Sequence, residues 1–143
     1  MAEIHILPVS IYYEDTDFSG LVYHANYLKY MERAREHFLG RDALVNLYRD
    51  HKIGFVVYKA NLSFKEGAVF GDELEVRTTV ELASDYRALF HQHVWRPGGK
   101  GPMVEGEIHL VCVDGENKLI PLPANVIEAG KRFEHQAPKR IIR

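Results

Sequence analysis

YYEDTDFSGLVYHANYLKYMERAREHFLG, from Tyr12 to Gly40, is the stretch whose reading decides the fold. Tyr27, Met31, Ala34 and Phe38 recur at the alternating four- and three-residue intervals of one helical face, whereas Lys29, Glu32, Arg33 and Glu36 fall largely on the others. The spacing predicts an amphipathic helix from about His24 to Leu39, stopped by Gly40, which can take the left-handed backbone that closes a helix. Pairs three apart, Lys29 with Glu32 and Arg33 with Glu36, support that helix by roughly 0.2–0.5 kcal/mol each. The apolar face therefore has to be buried against something else.

Ahead of the helix lies an acidic, glycine-containing loop. A carboxylate delivered just before a helix N-terminus stands near backbone N–H groups that have no intrahelical partner. Attack on a carbonyl needs those two parts, one to start the reaction and one to hold the developing oxyanion. Asp17 is the first candidate, with Asp15 and Glu14 as competitors, and capping of the helix is the ordinary alternative. It is followed by Ser19, Gly20, Leu21 and Val22, a small and then apolar segment able to bring backbone close to a ligand. His24, seven residues on, could orient a carbonyl or a water or share a proton with Asp17, against the plainer reading of a partly buried polar side chain. Tyr23 and His24 also enter through their backbone N–H groups, which are the candidate oxyanion donors.

Length and composition bound the rest. The chain of 143 residues, 46% hydrophobic and 27% charged, has the size and balance of one soluble domain with one core, residues 1–143. A net charge of −2 argues against binding nucleic acid through bulk charge. The charge is uneven: residues 131–143 carry +4, so 133–143 read as a flexible basic tail, solvated or touching an acidic surface. A lone cysteine, Cys112, excludes an internal disulfide, suits a reducing compartment and sits in the strand-like run His109–Val113 as a buried thiol. No apolar run is long enough to span a bilayer and the N-terminus lacks a signal-peptide pattern, so a cytoplasmic protein is expected.

Strand periods flank the helix. Ile4 to Tyr13 reads as a first strand in which Pro8 marks an edge position or the true start. Arg41 to Lys52 is a short helix or an ordered loop. Phe55–Phe64, Asp72–Leu82, Ala88–Arg96 and Val104–Val113 are strands, and Leu74, Val76, Thr78, Val80 and Leu82 alternate onto one face. Turns fall at Lys65–Gly71, Pro97–Pro102 and Asp114–Gly115, and Ala124–Arg132 makes a terminal helix turn. The outline is α+β, one antiparallel sheet of about five strands against one helix. Such a sheet leaves edges open, so a homodimer or a homotetramer is expected. His91 and His93, two apart on one strand face, could begin a metal site but lack a third ligand, so no metal is expected. No glycine-rich phosphate loop or dinucleotide fingerprint is present.

The run Tyr13–Tyr27, followed by Met31, Glu32, Arg33, Ala34 and Arg35, closely resembles the acyl-CoA thioesterases of the 4-hydroxybenzoyl-CoA thioesterase family, and within it the branch associated with the Tol-Pal envelope system. Phe64, Gly71, Asp72 and Leu74 fit as well. The resemblance implies a hotdog fold, a long central helix wrapped by a curved antiparallel sheet, with active sites at a dimer interface. It implies hydrolysis of an acyl-CoA or acyl-carrier thioester, with no separate cofactor because coenzyme A is part of the substrate. Asp17 matches the essential carboxylate, as nucleophile or general base; the N–H groups of Tyr23 and His24 match the oxyanion site; and His24 matches a histidine of this branch. Phe18 is larger than the residues common there and would narrow the acyl site, and Leu21 replaces Val or Ile. Exposed bases such as Lys59, Arg87 and Lys100 are candidates for the coenzyme's phosphates. The branch would also imply a peripheral link to envelope or lipid-synthesis proteins. The rival readings are an enoyl-thioester hydratase or dehydratase on the same fold, and a non-catalytic acyl-CoA sensor or scaffold.

Overall fold

The alternation at Leu74, Val76, Thr78 and Val80 becomes one wholly buried strand face, and the helical spacing at Tyr27, Met31, Ala34 and Phe38 becomes the surface laid against it. In the computed structural model, which describes residues 3–136, the elements run β1 (His5–Ser10), α1 (Asn26–Leu39), α2 (Arg41–His51), β2 (Gly54–Phe64), β3 (Glu73–Leu82), β4 (Arg87–Trp95), β5 (Val104–Val113), β6 (Leu119–Ile120) and α3 (Ala124–Arg132). The sheet is antiparallel throughout, in the order β1-β3-β4-β5-β2, with β6 added to β5. It therefore has six strands, not about five. The extra one is two residues long and turns back onto Cys112 and Val113 after Asp114, whose carboxylate accepts the N–H groups of Glu116 (2.8 Å) and Lys118 (3.0 Å).

Tyr30, Met31, Ala34 and Phe38 of α1 share a core with Val76, Val80, Phe90, Val94 and Ile108, each large side chain stabilising by roughly 1.5–3 kcal/mol. Two devices seat the helix. Gln92, fully buried on β4, donates to the Met31 carbonyl (2.9 Å) and to Thr78 Oγ1 (3.1 Å) and accepts from Arg35 Nη1 (2.9 Å). Gly106 on β5 lies directly beneath Met31: a Cβ there would stand 2.7 Å from Met31 Cε and 2.7 Å from the Gln92 carbonyl.

Three boundaries differ from the sequence expectation. The first strand stops at Ser10 and the chain turns through a 3₁₀ turn at Tyr13–Asp15, because the Asp15 carboxylate accepts the Tyr12 N–H (2.7 Å) and outcompetes the ladder. Pro8 is paired opposite Glu75 on an edge strand, where its missing N–H faces away from the sheet. Ala124–Arg132 is a nine-residue helix, and residues 133–136 are not tail: Phe133 is buried in the core, its carbonyl accepts the Val80 N–H (2.9 Å) and His135 N–H returns to the Val80 carbonyl (2.9 Å). The remainder of the expected tail, 137–143, lies outside the described residues.

Candidate active site

The loop between β1 and α1 is a small hairpin. Thr16 bridges to Val22, Asp17 N–H donates to the Leu21 carbonyl (3.0 Å) and Gly20 N–H to the Asp17 carbonyl (3.0 Å), leaving Phe18, Ser19 and Gly20 as the loop. Gly20 takes φ +83°, which closes a three-residue hairpin loop and is costly for any residue with a Cβ. Its returning arm is stitched to the segment before β3: Leu21 bridges to Val69, Val22 N–H donates to the Ala68 carbonyl (2.9 Å), and a Cβ on Gly67 would meet Leu21 at 2.9 Å. The position of Asp17 is thus set by pairing with residues about fifty positions away.

Asp17 does not cap α1. Its Oδ1 accepts the N–H (2.8 Å) and the hydroxyl of Ser19, and these two bonds, hydroxyl first, hold its carboxyl below the usual carboxylate range. The neighbouring His24 lowers it further. Asp17 is therefore an exposed carboxylate held toward its ionised form, which is able to accept a proton or to attack but not to donate a proton. Of its competitors, Asp15 is committed to the Tyr12 N–H and stands beside the buried Tyr30 phenol, whose pKa is pushed well up by burial and then by that carboxylate.

The start of α1 corrects one expectation. The Tyr23 N–H is occupied: it donates to the Asp15 carbonyl (2.9 Å), which also takes Asn26 Nδ2 (3.1 Å). That bond pins the acidic loop to the helix. The N–H groups of His24 and Ala25 have no acceptor among the described residues, so the donors at the helix N-terminus are these two. The His24 ring packs against Tyr23 (4.7 Å between centroids) and edge-on to Phe64 (6.2 Å). Phe18, expected to narrow an acyl site, projects fully exposed from the hairpin tip.

The structure separates the expected phosphate-binding bases. Arg87 opens β4 at the far end of the sheet from Asp17, and Lys59 lies in the middle of β2 opposite His109. Lys100 belongs to the loop after β4, at the same end as Asp17. Sequence reasoning missed Arg96, which ties this end together by bonding Asp72 (3.0 Å) and the Gly67 carbonyl (3.3 Å); a base directly after a strand and before Pro97 was the available signal. His91 and His93 lie on the opposite face of the sheet from α1, where His91 stacks on His135 with 3.5 Å between centroids. Among the described residues no cluster of three or more His, Cys, Asp or Glu has metal-holding geometry. Cys112 is buried and its thiol is pushed up to about 12 by burial, which keeps it protonated and inert.

Residues 12–130, from the 3₁₀ turn through most of α3, match the thioesterase-like superfamily. The chain belongs to that superfamily. It is 32% identical over 131 residues to the acyl-CoA thioester hydrolase YbgC of Escherichia coli, covering 87% of this chain and 94% of that one. It is 34% identical over 131 residues to the acyl-CoA thioesterase YbgC of Haemophilus influenzae, covering 90% and 93%. Among solved structures, the 1,4-dihydroxy-2-naphthoyl-CoA thioesterase Slr0204 from Synechocystis superposes with a TM-score of 0.82 at 25% identity, over 94% of this chain and 100% of that one. The six-stranded antiparallel sheet with its helices is thus the thioesterase arrangement, and the hairpin with Asp17 lies inside the matched region.

Proposed function

We propose that this chain hydrolyses acyl-CoA thioesters to a free acid and coenzyme A, with Asp17 as general base or nucleophile and the N–H groups of His24 and Ala25 as the oxyanion site. The observation that carries this reading is the pairing of an ionised carboxylate with two unbonded N–H groups at a helix N-terminus, held together by the Tyr23 to Asp15 bond. As base, Asp17 takes a proton from water while the water oxygen attacks the thioester carbon; the carbon–sulfur bond then breaks and the leaving thiolate recovers that proton. As nucleophile, it attacks the thioester carbon and expels the coenzyme A thiolate, and water cleaves the resulting anhydride to the free acid and the Asp17 carboxylate while the thiolate takes up the proton. His24 assists through its ring beside Asp17, and Lys100 meets the coenzyme's phosphates. The family relatives named as acyl-CoA thioesterases support the substrate class.

The reading includes a homodimer in the cytoplasm. β2 is an eleven-residue edge strand whose open ladder pairing with a second copy completes. No helix of the described residues is long and apolar enough to cross a membrane. Kinship with the Tol-Pal-associated branch rests on the Tyr13–Tyr27 motif.

The test is release of free thiol from a panel of short, long and aromatic acyl-CoAs. Wild type turns over at least one, and Asp17→Asn, with an unchanged circular dichroism spectrum, loses at least about 100-fold, the scale of removing one group of a reacting centre. Retained turnover in that variant would sink the assignment of Asp17.

A further inference from the structure

Arg35 is only 9% exposed, yet among the described residues no carboxylate stands within ion-pair distance of it and its one hydrogen bond goes to a neutral acceptor, Gln92 Oε1, at 2.9 Å. Buried charges are ordinarily paired, because a guanidinium with unmet donors loses its hydration without return. Burial holds its pKa down against the pull of Glu32 and Glu36, and Glu36 turns instead toward Arg41 at 3.8 Å. Arg35 also lines a cavity of about 170 Å³, shared with the carboxylates Glu32 and Glu36 and with apolar side chains that include Leu39, Leu44, Phe55 and Val57.

That cavity is the end of a strip. Leu28, Arg35 and Leu39 fall on one side of α1, in line with His24 just before it, and face the inner side of β2, where His24 meets Phe64 at one end and Arg35 shares the cavity with Val57 at the other. Leu28 (42%), Phe64 (51%) and Val57 (42%) leave this strip open to an occupant. From His24 to Arg35 is eleven residues, about 16 Å at the helical rise of 1.5 Å per residue, the length of a medium-chain acyl group.

We propose that the strip holds the acyl chain of the substrate and that Arg35 selects chains bearing a neutral hydrogen-bond acceptor, a hydroxyl or keto oxygen, at the far end. This rests on the thioesterase reading, which puts the thioester carbon at His24. A neutral oxygen suits the site better than a carboxylate because Glu32 and Glu36 flank the guanidinium and keep the surroundings negative.

The experiment compares dodecanoyl-CoA with ω-hydroxydodecanoyl-CoA on wild type, Arg35→Met and Arg35→Lys, by kcat/KM and by calorimetric binding to the Asp17→Asn protein, with oligomer mass read in parallel. Wild type is expected to favour the hydroxylated chain about 10- to 100-fold, the worth of a hydrogen bond to a charged donor. Arg35→Met brings the ratio close to one, and Arg35→Lys keeps part of it. Equal wild-type kcat/KM for the two thioesters overturns the inference and leaves hydrolysis standing, and it needs no variant that might misfold. An unchanged ratio in Arg35→Met together with lost oligomer mass assigns the strip to a second copy and also overturns it. Failure of wild type on these two thioesters and on every member of the acyl-CoA panel removes the thioesterase reading, while the binding ratio on the Asp17→Asn protein still decides the role of Arg35.

Discussion

Replacing Gln92 with Leu keeps nearly the same volume in the core and removes the amide that joins α1 to the sheet. The Met31 carbonyl still has its helical N–H partner, so the loss falls on two groups. Arg35 Nη1 loses its 2.9 Å acceptor, and a hydrogen bond to a charged group contributes about 1.5–3 kcal/mol. Thr78 Oγ1 loses its 3.1 Å donor inside a fully buried site, for about 1 kcal/mol more. The expected cost is therefore about 3–4 kcal/mol, or about 10 °C in Tm for a domain of this length. Urea unfolding followed by circular dichroism measures it, at one fixed protein concentration because association shifts apparent stability. The decisive step is the double mutant: once Arg35→Met has removed the cation, Gln92→Leu should cost only about 1 kcal/mol, a coupling of about 2 kcal/mol. A Tm loss under about 3 °C, or costs that add to within about 0.5 kcal/mol, would refute the view that a buried cation depends on this amide.

Two further outcomes follow from the site and its support. Because the Ser19 hydroxyl is the first cause of the lowered Asp17 pKa, Ser19→Ala raises that pKa, and since the ionised form reacts, the acid limb of kcat/KM moves to higher pH; a pH profile with an unmoved limb contradicts the role of Ser19. Gly106→Ala drives a Cβ to 2.7 Å from both the Gln92 carbonyl and Met31 Cε, so it destabilises by about 2–3 kcal/mol as overpacking, and an unchanged urea midpoint would show that α1 is not seated there.

Much of the fold was legible because it is written in short-range patterns. The spacing at Tyr27, Met31, Ala34 and Phe38 placed α1 to within two residues, alternation placed β3 with its buried face, and Val104–Val113 was read as the strand that is β5. The elements misread were those whose form depends on distant partners. β6 is two residues long and exists only through pairing with β5, and Phe133 sits in a basic stretch that reads as tail until its ring enters the core. In the site, the acid, the glycine and the helix start were visible in the motif around Asp17 and His24. The state of each group was not: nothing in the motif marked Arg35 as buried, and Arg87 and Lys59 were plausible bases until strand direction put one at the wrong end and the other mid-strand.

What the sequence determined by itself was the order of elements, the amphipathic face of α1 and the presence of a carboxylate in a glycine loop before a helix, since periodicity and backbone freedom act over a few residues. Only the tertiary structure decided that Tyr23 N–H is spent on Asp15 while those of His24 and Ala25 stay open, and that Asp17 is held ionised in a hairpin fixed by Ala68 and Val69. Those outcomes turn on hydrogen-bond partners and burial, which are set by contacts between segments far apart in the chain.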